Sequence, residues 1–410
     1  MILSRRNFVK AALLAPVGVS FAHYNALAAP AMKQIKITAI KLIQLATGMR
    51  LTKIETDAGF TGYGPTATSA GGPTGNFTES LVQGIATGGS SHPDLGLVGK
   101  DPLAIELHFH HMFYSWAQRE NTIRLSSGID IALWDLAGKI LNQPVSKLLG
   151  GNFRDKLKLY SHCPHEGNFM SRQDWRERVR RLKDDSRGFT AYKVDINDPL
   201  GVTVSQDLTT LSPRQIRDVK LCYELARETF GEETDIIVHC HNELDTPSAI
   251  KVAEAVEGIK PLFFEDPLDY NFSEKWMALR RSTRITICTG ENIQLMEMAA
   301  PFIMNQAVDW LQPDLCWSGG ITGVKKIADL AAYYRMPVTM HTAGGGGWAQ
   351  MMASQQLSAA LHNCPYLECG VNGNRAAEAA GNLPVIENGS MNVSTLPGLG
   401  LEIRPDLLQA

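Results

Sequence analysis

The chain has 410 residues, 44% hydrophobic and 20% charged, with a formal net charge of −3. That length suits two domains, or one large barrel with an added lobe. The balanced charge excludes a basic nucleic-acid binder and gives no attraction to an anionic membrane, and the short basic run Arg176-Glu177-Arg178-Val179-Arg180-Arg181 reads as one solvated helix face.

Residues 1–29 read as an export signal. Ser4-Arg5-Arg6-Asn7-Phe8-Val9-Lys10 precedes an apolar stretch from Ala11 to Phe21, and Ala26-Leu27-Ala28 offers a small-x-small cleavage site. Paired arginines followed by Phe and Lys resemble a twin-arginine signal, which implies export of a folded protein to the periplasm. A plain secretory signal or a lipoprotein anchor is the alternative, the latter weakened because no cysteine follows the apolar stretch. The stretch is too short to span a bilayer, so no stable membrane anchor is expected.

Next comes an α+β domain over residues 33–150. Strands are predicted at Ile35–Leu45, Arg50–Thr56 and Thr61–Gly64, with a hairpin turn at Asp57-Ala58-Gly59. Helices follow at Phe77–Ile85, Leu103–Tyr114 and Ser127–Leu141. The last carries Ile131, Leu133, Trp134, Leu136 and Ile140 at the spacing of a buried face. His108, His110 and His111 lie on the middle helix and read as packing or surface residues.

From residue 151 to 369 strands and helices alternate. Strands are predicted near 157–162, 190–195, 235–240, 261–265, 285–290, 308–313, 337–341 and 365–369. Helices are predicted near 172–186, 212–229, 246–257, 273–281, 295–304, 320–334 and 349–361. This is the pattern of a (β/α)8-type, TIM-like barrel in the α/β class. An open doubly wound sheet is the alternative, but Gly344–Gly347 lacks the spacing of a dinucleotide fingerprint. Residues 370–410 are expected to fold back and complete the N-terminal domain. Seven cysteines, none in a Cys-x-x-Cys pair, are expected to be buried free thiols.

His239, Glu265, Glu291, Asp314, His341 and Glu368 recur at steps of 26, 26, 23, 27 and 27 residues by subtraction. One strand-loop-helix-loop unit has that length. A parallel barrel gathers the C-terminal ends of its strands on one face, so residues one unit apart become neighbours there. Phe263-Phe264-Glu265-Asp266-Pro267 and Thr289-Gly290-Glu291-Asn292 each end a strand. Two carboxylates on adjacent strand ends, with a third ligand one strand earlier, suit one Mg²⁺ ion that keeps positions open for substrate oxygens. Salt bridges at the barrel rim are the competing explanation.

The chain after residue 33 resembles the enolase superfamily, in its mandelate racemase branch. Ser127-Gly128-Ile129-Asp130-Ile131-Ala132-Leu133-Trp134-Asp135-Leu136-Ala137-Gly138-Lys139 resembles the helix that ends that family's capping domain. Gln312-Pro313-Asp314 with Gly319-Gly320-Ile321-Thr322-Gly323, Met340-His341 and Tyr366-Leu367-Glu368 are similar to its sixth, seventh and eighth strand motifs. The resemblance implies that Glu265 and Glu291 bind the metal and that a base removes the α-proton of a carboxylate substrate. It implies that Asp314 orients His341, and that Glu368 hydrogen-bonds the carboxylate oxygen opposite the metal. The short turn at 46–49 and the loop at 66–76 match the family's capping loops. Family members are usually homo-oligomers.

Two departures stand out. The first metal ligand of the family, an aspartate, is replaced by His239, with His241 on the same strand face. The second lysine of a Lys-x-Lys pair is replaced in Lys193-Val194-Asp195. Asp195 is expected to restore the lost negative charge at the metal, directly or through water, giving the ligand set His239, Glu265, Glu291 and Asp195; a plain pairing with Lys193 is the alternative. Asp-x-His at the third strand resembles acid-sugar dehydratases. On that basis His241 takes the α-proton, His341 helps hydroxide leave, and Lys193 and Glu368 hold the carboxylate. The expected activity is dehydration of an acid sugar to a 2-keto-3-deoxy acid. A racemase, epimerase or cycloisomerase, or an exported sugar-acid binding protein without turnover, are the alternatives. His162 and His165 face the same end and are candidates for substrate contact.

Overall fold

A computed structural model of the chain describes residues 35–46, 49–66, 79–89, 93–114, 123–202, 209–342, 347–370 and 384–407. The segment read as an export signal and most of the two expected capping loops lie outside the described residues. Strands β1 (Ile37–Gln44), β2 (Arg50–Thr56) and β3 (Thr61–Pro65) form an antiparallel meander. Helices α1 (Glu79–Thr87), α2 (Ile105–Tyr114) and α3 (Ile123–Leu141) accompany it. Ile37, Ile40 and Ile54 from the sheet share a core with Phe109, Ile129 and Leu133 from the helices. Gly128 lets α3 lie directly on β3, because a Cβ there would stand 2.2 Å from the Pro65 carbonyl oxygen.

The second domain is a ring of short parallel strands: β4 (Lys156–His162), β5 (Ala191–Asp195), β6 (Asp235–His239), β7 (Phe264–Glu265), β8 (Ile287–Thr289), β9 (Trp310–Leu311) and β10 (Leu367–Cys369). They pair in that order from β4 to β9, and β10 returns to pair with β4. Helices α4 (Arg172–Lys183), α5 (Pro213–Phe230), α6 (Thr246–Val256), α7 (Glu274–Ser282), α8 (Met296–Met304), α9 (Gly320–Tyr333) and α10 (Gly347–Ala359) fill the connections. Local chemistry starts several of them. Ser171 and Asp245 cap α4 and α6, and Ser212 with Gln215 forms a capping box before α5.

The seventh strand, expected at 337–341, is reduced to two bridges, Leu311 to Val338 and Asp314 to His341. Pro313 and Pro337 lack the N–H that a longer ladder needs. Threonine side chains sew the seam to β10 instead. Thr339 Oγ1 donates to the Tyr366 carbonyl at 3.0 Å, and Thr342 Oγ1 donates to the Glu368 carbonyl at 2.8 Å while accepting from Gly370 N at 2.9 Å. Thr342→Val is therefore expected to lower stability by about 1–3 kcal/mol, because it leaves buried backbone groups unpaired; a urea titration checks it.

Residues 370–410 were expected on the N-terminal domain, and the described part of that segment divides. Strands β11 (Ile386–Glu387) and β12 (Ser390–Asn392) form a hairpin on the barrel, with β12 antiparallel to β4, because the outer edge of β4 ahead of its parallel register is open. The chain then crosses to the first domain. Gly398 N donates to Gln143 O at 3.0 Å, and Leu399 N donates to the buried Asp135 carboxylate at 2.9 Å. Asp135 also accepts from Tyr63 N at 2.8 Å and Lys139 Nζ at 2.6 Å, so one side chain joins β3, α3 and the C-terminal segment. Asp135→Ala strands two backbone donors and is expected to lose about 3–5 kcal/mol, read from the denaturant midpoint. All seven cysteines are buried and none forms a disulfide. Among the described residues no helix is long and apolar enough to cross a membrane.

Candidate active site

Strand periodicity builds the site. Tyr160, Ala191, Ile237, Phe263 and Cys288 form a small cluster of their own, with Trp310 and Tyr366 against it. Side chains on a strand share a face at every second residue. Two positions further along each strand stand His162, Lys193, His239, Glu265, Gly290, Gln312 and Glu368. An apolar floor thus passes directly into a layer of charge at the C-terminal mouth.

His239 Nε2 lies 3.4 Å from Glu265 Oε1, and the ligand atoms of His239, Glu265 and Glu291 all lie within 4.8 Å of one another. Gly290 (φ +149°) turns the chain so that Glu291 enters this set; a Cβ there would stand 2.7 Å from Gln312 N. Asp195, expected to act at the same cation directly or through water, groups with His239 and His241. Register explains this: β5 and β6 are adjacent and Asp195 is level with His239. Asp195 Oδ2 therefore meets the near edge of the ring, 3.6 Å from Nδ1, while Glu265 from β7 meets the far edge. Asp195 does not pair with Lys193 in this arrangement, and burial pushes its carboxyl up to about 7.

Lys193 is sealed in the floor, its side chain 1% exposed, between Glu265 Oε1 at 2.9 Å and Glu368 Oε1 at 2.5 Å. Burial alone would lower its pKa, but the two carboxylates raise it, so it stays charged. Burial would raise Glu368; Lys193, His341 and His162 overcome that and hold it well below the usual carboxylate range. Its oxygens accept from Lys193, from His162 Nε2 at 2.9 Å and from Thr342 N at 2.9 Å. Glu368, expected to hydrogen-bond a substrate carboxylate oxygen, stands at the mouth beside Lys193 and His162. It is placed as the counter-ion of Lys193 and a hydrogen-bond partner of His162.

His341 Nδ1 is 2.7 Å from Asp314 Oδ2, which also accepts from Gln350 Nε2 at 2.9 Å; Cys316 N at 2.7 Å holds Asp314 Oδ1. The other ring nitrogen faces Glu291 Oε2 at 3.3 Å. Burial would lower His341, but Glu368, Glu291 and Asp314 raise it to about 10. His241 differs. Its Nδ1 is buried without a hydrogen-bond partner, 3.5 Å from Asp195 Oδ2. Burial, Lys193 and His162 push it down to about 3. Its backbone N–H donates to the Glu243 carboxylate.

The remaining candidates separate. His162 joins the site through Glu368. His165 binds Asp198 at 2.8 Å with its side chain 56% exposed, at the rim. His108 is buried and bonded to the Asp101 carbonyl, a packing role. Sequence reasoning missed Tyr160 and Gln312. With the Gln312 amide nitrogen facing Glu265, it donates to both carboxylate oxygens at 3.1 and 3.2 Å and accepts from Tyr160 OH at 2.7 Å. The signal was available: each lies on the inward period of its strand.

The His239, Glu265 and Glu291 set fits a divalent cation. His239 Nε2 is buried with no hydrogen-bond partner. Burial and the neighbouring carboxylates push Glu265 up to about 8 despite Lys193, so this carboxyl is short of positive charge. A dication between these atoms would supply it.

A barrel under an α+β lobe, with a mouth of imidazole and carboxylate donors over a sealed lysine, defines a class: capped-barrel proteins that hold a cation beside an acid–base site. Residues 29–150 match the family described as mandelate racemase / muconate lactonizing enzyme, N-terminal domain, and residues 174–407 match enolase C-terminal domain-like. The chain belongs to the enolase superfamily, in its mandelate racemase/muconate lactonizing enzyme-like branch. It is 30% identical over 319 residues to a D-xylonate dehydratase of Haloferax volcanii, covering 77% of this chain and 76% of that protein. It is 28% identical over 321 residues to a D-gluconate dehydratase of Thermoproteus tenax, covering 76% of this chain and 61% of that protein. A crystal structure described as mandelate racemase/muconate lactonizing enzyme from Sulfitobacter sp. superposes with TM-score 0.79 at 26% identity, covering 91% and 94% of the two chains.

Proposed function

We propose that this protein is a metal-dependent hydro-lyase that dehydrates an acid sugar to a 2-keto-3-deoxy acid. One observation carries the reading. Beside the His239, Glu265 and Glu291 set stand two histidines of opposite character, His341 locked to Asp314 at 2.7 Å and His241 with a bare, buried nitrogen. Environments that drive two titratable groups apart divide the acid and base roles between them. The names of the two curated relatives point the same way.

His241 takes the α-proton, since its ring is neutral and its Nδ1 carries no hydrogen bond. His341 enters protonated and gives its Nε2 proton to the departing β-hydroxyl, while Asp314 keeps the ring in register. Lys193, closed off between Glu265 and Glu368, acts by its positive charge from beneath the substrate carboxylate. His239, Glu265 and Glu291 would hold Mg²⁺, which when bound would supply positive charge against the charge that grows on the substrate carboxylate.

His341 must be protonated to act, so turnover is expected to fall as pH rises toward its raised pKa of about 10. A cation on Glu291 removes one of the charges that raise it, so the alkaline limb should lie lower with the metal bound. A pH–rate profile checks this. The decisive experiment mixes the metal-loaded protein with a panel of aldonic and aldaric acids in D₂O. Formation of a 2-keto acid with loss of water supports the reading. Deuterium exchange without loss of water across the panel would replace it with racemisation. The export signal and a periplasmic location are proposed from residues 1–29, and signal cleavage on expression in a bacterium tests them. A homo-oligomer is proposed from the family.

A further inference from the structure

Two groups of metal-ligand atoms share one histidine. Asp195, His239 and His241 form a set distinct from His239, Glu265 and Glu291, and within each set the ligand atoms lie within 4.8 Å of one another. Both imidazoles of the first set turn Nδ1 toward Asp195 Oδ2, at 3.6 and 3.5 Å. These gaps are too long for good hydrogen bonds and leave space for an ion between the atoms. The two rings stand 4.1 Å apart at 58°. His241 Nδ1 is buried with no hydrogen-bond partner. The His239 side chain is 4% exposed, and its other nitrogen likewise has no partner.

From this geometry we infer that Asp195, His239 Nδ1 and His241 Nδ1 form a second cation site, selective for a borderline first-row dication such as Zn²⁺ or Co²⁺. Two imidazoles and one carboxylate suit such ions, whereas Mg²⁺ favours a set richer in oxygen, such as the two carboxylates beside His239 Nε2. Three protein donors leave further positions to water. His239 makes the two sites exclusive. A neutral imidazole has one lone pair. If Nδ1 binds an ion beside Asp195, Nε2 carries the proton and faces Glu265. If Nε2 binds an ion beside Glu265 and Glu291, Nδ1 carries it and faces Asp195. An ion in the second site also occupies the lone pair that His241 needs for proton removal, so filling it stops turnover. That last consequence rests on the dehydration proposed above; the binding itself does not.

The full chain, stripped with EDTA and dialysed, is titrated with Co²⁺ and followed by visible absorbance. One equivalent is expected to bind. His241→Gln and Asp195→Asn are each expected to weaken binding at least ~10-fold, whereas Glu291→Gln keeps it within a few-fold. Melting curves establish that each variant is folded. Should a variant fail to fold, proton NMR of the Co²⁺-loaded wild-type protein decides: two histidine rings with large paramagnetic shifts are expected, against one for a cation on the glutamate side. The inference is overturned if wild-type protein binds no Co²⁺, if Glu291→Gln abolishes binding while Asp195→Asn retains it, if all three variants bind equally, or if a single ring is shifted. Absorbance and ring count read the site whether or not any acid sugar is dehydrated.

Discussion

Lys193→Met is expected to abolish turnover and to lower stability by about 3–5 kcal/mol, the usual result of removing one partner from a buried ion pair. The lysine is the cation between Glu265 and Glu368, and all three side chains are at most 1% exposed. Methionine fills the volume and leaves two carboxylates facing each other without a counter-charge. A shift in the urea midpoint at constant slope reads the loss. Adding Glu368→Gln to Lys193→Met should recover part of the stability and none of the activity, because removing both partners of a buried pair costs less than removing one. If the single variant is as stable as the wild type, Lys193 is not the charge that holds the floor together.

His341→Asn separates the two proton transfers. Product formation is expected to fall by about 10²–10⁴-fold, the usual worth of a positioned acid. Exchange of the α-proton in D₂O should continue, because His241 remains. His241→Asn should lose both. Loss of exchange in His341→Asn with retention in His241→Asn would reverse the two roles. Mass spectrometry of recovered substrate and a keto-acid assay are sufficient for both variants.

Much of this was legible in the sequence because the fold repeats. One strand, one helix and their loops occupy nearly constant length, so residues at that step had to meet at one end of the ring. His239, Glu265, Glu291, Asp314, His341 and Glu368 could therefore be placed together before any coordinates. What escaped depends on the relation between strands. The spacing along β5 puts Asp195 and Lys193 on one face, but only the register with β6 says which edge of His239 the carboxylate meets. Tyr160 and Gln312 carry no charge and read as core, although they support Glu265. The threonine seam was hidden because a segment ending in Val338-Thr339-Met340 has strand composition, whereas its prolines and the geometry of closure decide how much ladder forms. Glu368 was placed correctly in space, yet its ionised state follows from Lys193, His341 and His162, which lie far from it in sequence.

The fastening at Asp135 sets an order of events during synthesis. Its partner Leu399 is 264 residues away, and the nearby Val145 N–H waits for the Gly398 carbonyl. The α+β lobe cannot be completed until Gly398 and Leu399 have been made and have left the ribosome. Contacts this remote make folding slow and late, so a nascent chain cut anywhere before Gly398 should be a substrate for proteases rather than a smaller working enzyme.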